Sequence, residues 1–226
     1  MRFFLLAAAA ASLLAAPASA QDRATAGDIE QRRVIRLGTP YTTSISGSAG
    51  AYSRTLTGSA PSSILVGMGF TETRDTPCYA EASFRSWHHG RPRGSSQATD
   101  VCGKTYNDQQ GVTVSGAVQR VGIRALRLGM NGKGNKMKAV AIRGVTLDQD
   151  EMGEVRPDSG LDDHFDRPNF REPWKNWVSC AGNEVAVGVV VHYNNRESIT
   201  GLALRCASVE ISRVVYQAGT DRPYAP

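Results

Sequence analysis

Three tryptophans, four asparagines at turn positions and one acid–imidazole triplet are the residues of this sequence whose types could do chemistry. Trp87, in Trp87-His88-His89, and the pair Trp174 and Trp177 offer indole faces that pack against the C–H faces of sugar rings. Trp174 and Trp177 also stand just ahead of Cys180, which reads as a cap on one end of the fold. Asn131, Asn135, Asn194 and Asn195 could donate to and accept from sugar hydroxyls, because a primary amide does both. Asparagine is equally a residue that tolerates left-handed turns. Asp162-Asp163-His164 sets acid beside imidazole, but adjacency along a chain does not aim two side chains at one reacting atom. No GxSxG motif, paired carboxylates or metal triad stands out, so no catalytic residue, metal or cofactor is assigned and a non-enzyme is expected.

Charge is distributed in blocks. Residues 109–147 carry Arg120, Arg124, Arg127, Lys133, Lys136, Lys138 and Arg143 and no acid, whereas residues 148–172 carry nine acids against Arg156, Arg167 and Arg171. An acidic insert over 148–172, folded across a basic sheet, would neutralise both. A basic face left open would instead concentrate anionic glycans. Nucleic acid is not expected, because no stacking aromatics are interleaved with these basic residues. Asp148, Asp150, Glu151, Asp158, Asp162, Asp163 and Asp166 could offer oxygens to calcium, but their spacing matches no EF-hand, and a solvated or ion-paired loop is the simpler reading.

The first twenty residues, MRFFLLAAAAASLLAAPASA, join one Arg and an apolar run to Ala-Ser-Ala, the pattern of a signal peptide cleaved after Ala20. A secreted or periplasmic protein of about 206 residues, room for one domain, is expected. No later stretch reaches the ~18 apolar residues of a transmembrane segment. Four cysteines in an exported chain favour disulfides. Pairing within local segments gives Cys78–Cys102 and Cys180–Cys206, while zinc is disfavoured by the lack of a CxxC pair.

The elements that must position these residues are strands. Residues 21–60 are polar and aperiodic and read as an N-terminal arm with at most one edge strand. Residues 61–217 read as the domain, with 218–226 a tail. Three segments there share one plan: Ile64–Phe70 through a turn to Ala82–Arg85, Val121–Ala125 through Gly132–Asn135 to Val140–Arg143, and Val187–Val191 through Asn194-Asn195 to Leu202–Arg205. Each opens on Val-Gly and ends on Arg, so Arg85, Arg143 and Arg205 should be equivalent. Inward positions would be Val66, Met68 and Phe70, Val121, Ile123 and Ala125, and Val187, Val189 and Val191. The second strands would add Ala82 with Phe84, Val140 with Ile142, and Leu202 with Leu204. One hairpin cannot bury such a face, but three sheets around an axis can. The expected fold is all-β, a β-prism of three short antiparallel Greek-key sheets, with a β-sandwich the alternative.

The run Cys180-Ala181-Gly182-Asn183-Glu184, leading through Val187-Gly188 to Ile199-Thr200-Gly201-Leu202-Ala203-Leu204-Arg205-Cys206, resembles vitelline membrane outer layer protein I, whose Cys-led strand returns to an apolar–Gly–apolar–x–apolar–basic–Cys ending. The resemblance implies a three-sheet β-prism. It departs from that family in the acidic segment after Val145 and in having fewer cysteines.

Turns at Arg74-Asp75, Asn131–Asn135 and Asn194-Asn195 would meet at one end of such a prism. Lys133 there would favour acidic polysaccharide, and Trp87 is the alternative locus. The expected function is a lectin-like carbohydrate-binding domain, the other reading being a structural or protein-interaction domain of the cell envelope.

Overall fold

The computed structural model describes residues 29–72, 77–88, 91–100, 109–114, 120–149, 153–166, 170–171, 173–194, 198–220 and 222–223. The signal-peptide reading, Arg74, Asp75, Cys102 and Asn195 lie outside them, as does the side chain of Trp87.

Every regular element among the described residues is a strand. The three expected hairpins are the inner pairs of three sheets. β5 (Ile64–Glu72) and β6 (Pro77–His88) are flanked by β7 (Arg91–Asp100) and β8 (Gln109–Thr113) in the order β7-β6-β5-β8. β9 (Val121–Met130) and β10 (Met137–Gln149) are flanked by β11 (Val155–Asp166) and β12 (Val178–Ser179) in the order β11-β10-β9-β12. β13 (Glu184–Tyr193) and β14 (Ile199–Gln217) form the third pair. All pairings are antiparallel, and in the first two sheets the strand that follows each meander returns to the far side of its hairpin, a Greek key. The chain is an all-β β-prism.

The outer strands of the third sheet come from the segment expected to be an arm. β1 (Ile29–Leu37), β2 (Tyr41–Thr42) and β3 (Ser46–Gly47) pair in succession with the long β14, and β4 (Tyr52–Thr57) pairs with β13. Their sequences hid this because an edge strand needs only its backbone matched and a few side chains buried. β4 buries Leu56 alone, and β1 buries Arg32 and Ile35. Gly47 sits at φ 97°, a left-handed conformation that lets the chain turn away after pairing with Gly201.

The acidic segment likewise is no insert. Residues Val155–Asp166 are β11, the edge strand of the second sheet, paired along β10 from Val155 opposite Gln149 to Asp166 opposite Ala139. Asp158, Asp162 and Asp163 put negative charge along this edge strand, which discourages further pairing.

Inward faces of the three sheets meet in one cluster that includes Met68, Phe70, Phe84, Ile123, Leu126, Leu128, Ile142, Val189, Val191, Leu202 and Leu204. A second cluster of Ile35, Ile64, Val145, Leu147, Val185, Val187 and Val209 closes the end away from the hairpin turns. Each hairpin carries two register slips, one beside its turn and one deeper in the sheet that adds a residue to the first strand. The extra residue is Val66 in β5, Arg124 in β9 and Val187 in β13, opposite Ser83-Phe84, Arg143-Gly144 and Arg205-Cys206 respectively. Arg143 and Arg205 are therefore equivalent, whereas the first hairpin has Ser83 at that place and Arg85 lies two residues further on. The Val121-Gly122 pair is offset in the same way, since the bulge falls at Arg124. That bulge also moves Ala125 off the inward row, which continues through Leu126, Leu128 and Met130.

Cys180, just after β12, is bonded to Cys206 in β14, so this disulfide staples the second sheet to the third. Cys78 is also disulfide-bonded. The expected Cys78–Cys102 pairing falls on Cys102, outside the described residues. Both Cys180 and Cys206 are buried. Replacing the two together by Ala should lower the free energy of unfolding by about 3 kcal/mol, the loop-entropy value for a crosslink of this span. Urea unfolding followed by circular dichroism checks this, and a change below about 1 kcal/mol would mean that the packing of the sheets alone holds them together.

Candidate functional site

The end of the prism that carries the hairpin turns is built by backbone-directed asparagines. Between β9 and β10, Asn131 N–H donates to the Lys136 carbonyl at 2.9 Å, and Gly134 N–H donates to the Asn131 carbonyl at 2.7 Å. The Asn131 side-chain Oδ1 accepts from the N–H groups of Asn135 at 3.0 Å and Lys136 at 3.1 Å, and its Nδ2 donates to Asn135 Oδ1 at 2.9 Å. Asn194 repeats the device: its N–H donates to the Ser198 carbonyl at 3.2 Å and its Oδ1 accepts from Ser198 Oγ at 2.9 Å. Both amides are thus occupied in closing their turns. Lys133 and Asn135 are exposed at the tip.

The second and third turns meet at this end. Ser48, in the connection from β3 to β4, donates through Oγ to the Gly134 carbonyl at 2.9 Å and through N–H to the Thr200 carbonyl at 2.8 Å. Four residues further, Tyr52 opens β4 opposite Tyr193, the last residue of β13. Their rings stack at 5.7 Å with an interplanar angle of 22°, and Tyr52 is 54% exposed. This aromatic platform at the third turn was not singled out in the sequence. Tyrosines in an aperiodic polar segment carry no signal until the strand partner is known. Trp87, in contrast, pairs with Pro92 at the end of β6 remote from the first turn.

The other tryptophans do not cap the prism end. Residues 174–180 run beside β9: Trp174 bridges Gly129, Lys175 N–H donates to the Leu128 carbonyl at 2.8 Å, and Cys180 N–H donates to the Arg124 carbonyl at 2.9 Å. Trp174 and Trp177 lie over the outer face of the second sheet. The Arg127 guanidinium stands 4.7 Å from each indole, and the Arg143 guanidinium 4.3 Å from Trp177. Phe170 extends the row edge-on to Trp174 at 5.5 Å. Gly129 makes room for it, since a Cβ there would overlap the Phe170 ring. The basic face is therefore partly covered by Trp174 and Trp177 together with Phe170, while residues 155–166 run beside it as an edge strand.

Acids of that segment mostly accept from backbone. Asp162 Oδ1 takes Gly144 N–H at 3.1 Å, and Asp163 takes Thr113 N–H at 2.9 Å and His164 N–H at 2.8 Å, which separates the Asp162-Asp163-His164 triplet into structural roles. Asp148 does meet cations, with Arg120 at 3.6 Å and Arg33 in close contact. Among the described residues, no group of three or more His, Cys, Asp or Glu is placed to hold a metal.

The chain is similar in architecture to solved plant lectins. Calystegia sepium agglutinin aligns with a TM-score of 0.47 over 76% of this chain and 97% of that one, at 7% identity. Malaysian banana lectin aligns at 0.45 over 75% and 99%, with 10% identity. A mannose-binding jacalin-related lectin from Ananas comosus aligns at 0.43 over 75% and 98%, with 8% identity. No family model and no curated protein matches the chain. The β-prism implied by the resemblance to vitelline membrane outer layer protein I is the fold observed, while membership of that family finds no match.

Tip residues divide by role. Asn131→Ala removes three side-chain hydrogen bonds from the turn and should cost about 1–2 kcal/mol, seen as a lowered thermal midpoint, whereas Lys133→Ala should leave the midpoint nearly unchanged. Equal midpoints for the two variants would refute this division.

His192, between Ser53 and Gly201 in the third sheet, has its pKa lowered by burial. The fold favours the neutral ring, so the associated stability is present above the unfolded value of about 6.5 and is lost as pH falls below it. Melting curves from pH 8 to 5 should show an acid-side loss that is smaller in His192→Gln. Identical pH profiles would exclude His192 as its source.

Proposed function

We propose that this protein is an exported, non-catalytic carbohydrate-binding domain that takes an acidic polysaccharide across the turn-bearing end of the prism. The observation that carries the reading is exposed Tyr52 stacked on half-buried Tyr193 beside tips held by Asn131, Asn194 and Ser48. Tyrosine offers an apolar face to a sugar ring and a hydroxyl at its edge, and needs little ordering on binding. Rigid turns around it supply the polar contacts that orient a saccharide without a large closure cost. Lys133, exposed at the neighbouring tip, adds attraction for uronic or sulfated units that weakens with salt. Export through Met1–Ala20 to the periplasm or medium brings the domain to such polymers.

The competing reading, a structural or protein-interaction domain of the envelope, would use β4 as an exposed edge and would need no sugar. A glycan array probed with the mature protein decides between them. Binding to acidic polysaccharides that drops at least tenfold in Tyr52→Ala but persists in Tyr52→Phe is the expected result, since stacking and not the hydroxyl supplies the platform. Absence of binding to every glycan would favour the structural domain.

A further inference from the structure

The outer face of the second sheet holds a cleft of about 520 Å³, on the side of the molecule where Trp177 and Arg143 stack, and within the size range of small-molecule sites. Its walls come from two register irregularities that fall at one level, one between β9 and β10 and one between β10 and β11. β9 carries the extra residue Arg124 opposite Arg143 and Gly144 of β10, and on the other side β11 places four residues between Asp158 and Asp163 where β10 has only Arg143 between Ile142 and Gly144. Bulges re-aim side chains, and here they bring Arg124, Arg143, Asp158, Ser159, Asp162 and Ser179 around one space. Ala125 and Gly144 are the small residues among its lining.

The two arginines are fixed without exhausting their donors. Arg143 lies 4.3 Å from the Trp177 ring, a stacking contact that leaves the N–H groups at the guanidinium edge available. Arg124 donates Nε–H to the Cys180 carbonyl at 3.4 Å, and among the described residues its terminal amino groups make no hydrogen bond. On the opposite wall, Asp162 is held by Gly144 N–H at 3.1 Å and Asp158 by Gly160 N–H at 2.9 Å, each through one oxygen, which leaves the other to accept. Ser159 and Ser179 add hydroxyls.

From this arrangement we infer that the cleft is a second binding site, separate from the tyrosine platform, for a saccharide unit bearing a single carboxylate, such as a uronic acid. A planar guanidinium edge matches a carboxylate in a two-bond fork. The facing carboxylates accept from ring hydroxyls and repel a ligand with concentrated negative charge, which disfavours phosphate dianions and nucleic acid. A neutral sugar would leave the arginines without an anionic partner. The Trp177 indole reports occupancy, because it touches the guanidinium that takes the ligand.

The test titrates the exported protein with tri-galacturonic acid, with galactotriose as its neutral counterpart, and with inorganic sulfate, following tryptophan fluorescence and heat. Saturable binding of the uronate, at least tenfold tighter than that of either control, is expected. Arg143→Gln and Arg124→Gln should each raise Kd at least tenfold, and Arg143→Lys should fall between, because lysine keeps the charge but loses the fork. Undiminished uronate binding by the arginine variants, with Tyr52-dependent binding kept on the glycan array, would strike the cleft alone and leave the platform in place, which separates the two failures. Should an arginine variant fail to fold, Ser159→Trp fills the cleft from an exposed position and should abolish the signal. No saturable response to the uronate, equal affinity for sulfate or galactotriose, or undiminished binding by the variants would overturn the inference.

Discussion

A short antiparallel sheet has two faces and can hide one of them only against other sheets, and this requirement governs the whole chain. Three hairpins turn their inward rows on a common axis, where Phe84, Ile123, Leu126, Ile142, Val191 and Leu204 are almost fully buried. Each buried leucine or phenylalanine removes apolar surface worth about 2 kcal/mol from water, so the axis is where the stability concentrates. The hairpins are inner strands because they are the most apolar. The outer strands are recruited from whatever sequence lies within reach, including residues 29–57 at one end of the chain and an acidic run in its middle.

Closing the third sheet joins distant parts of the sequence. β14 is 19 residues long and serves as a spine on which β1, β2 and β3 are laid one after another. Cys206 on that spine holds Cys180 at the edge of the second sheet. Tyr41 adds a tie at the same level, donating to Glu184 Oε2 at 2.6 Å; that carboxylate raises the tyrosine pKa. The rigidity of the turn-bearing end follows, since its tips are anchored to strands that cannot shift independently.

The outer face of the second sheet carries a row of aromatics, Phe170, Trp174 and Trp177. Arginine between indoles satisfies the cation by the ring faces and shields Ala139 and Ala141 beneath, which are buried although they sit on the outer side. Coverage stops where the bulges begin, and the uncovered part is the cleft. One segment thus covers part of a basic face and leaves a bounded opening beside it.

Hydrophobic alternation and turn residues determined the class of this protein from sequence alone: three hairpins and the rows Met68–Phe70, Val189–Val191 and Leu202–Leu204 are local patterns with a period of two, and the Cys180–Cys206 pairing followed from nearness along the chain. Asn131 and Asn194 were legible as turn residues for the same reason, because their partners lie four or five positions away. What the sequence left open depended on partners far along the chain. Polar strands β1 to β4 exist only because β13 and β14 offer unpaired backbone, and no side-chain pattern announces that. The bulge at Arg124, which breaks the equivalence of Val121-Gly122 with the other Val-Gly pairs, is set by the packing of neighbouring sheets. The tryptophans were visible as residues, but their seat on Arg127 and Arg143 was not. A stacking contact is fixed by the crossing of two strands in space, and only the tertiary structure decides where they cross.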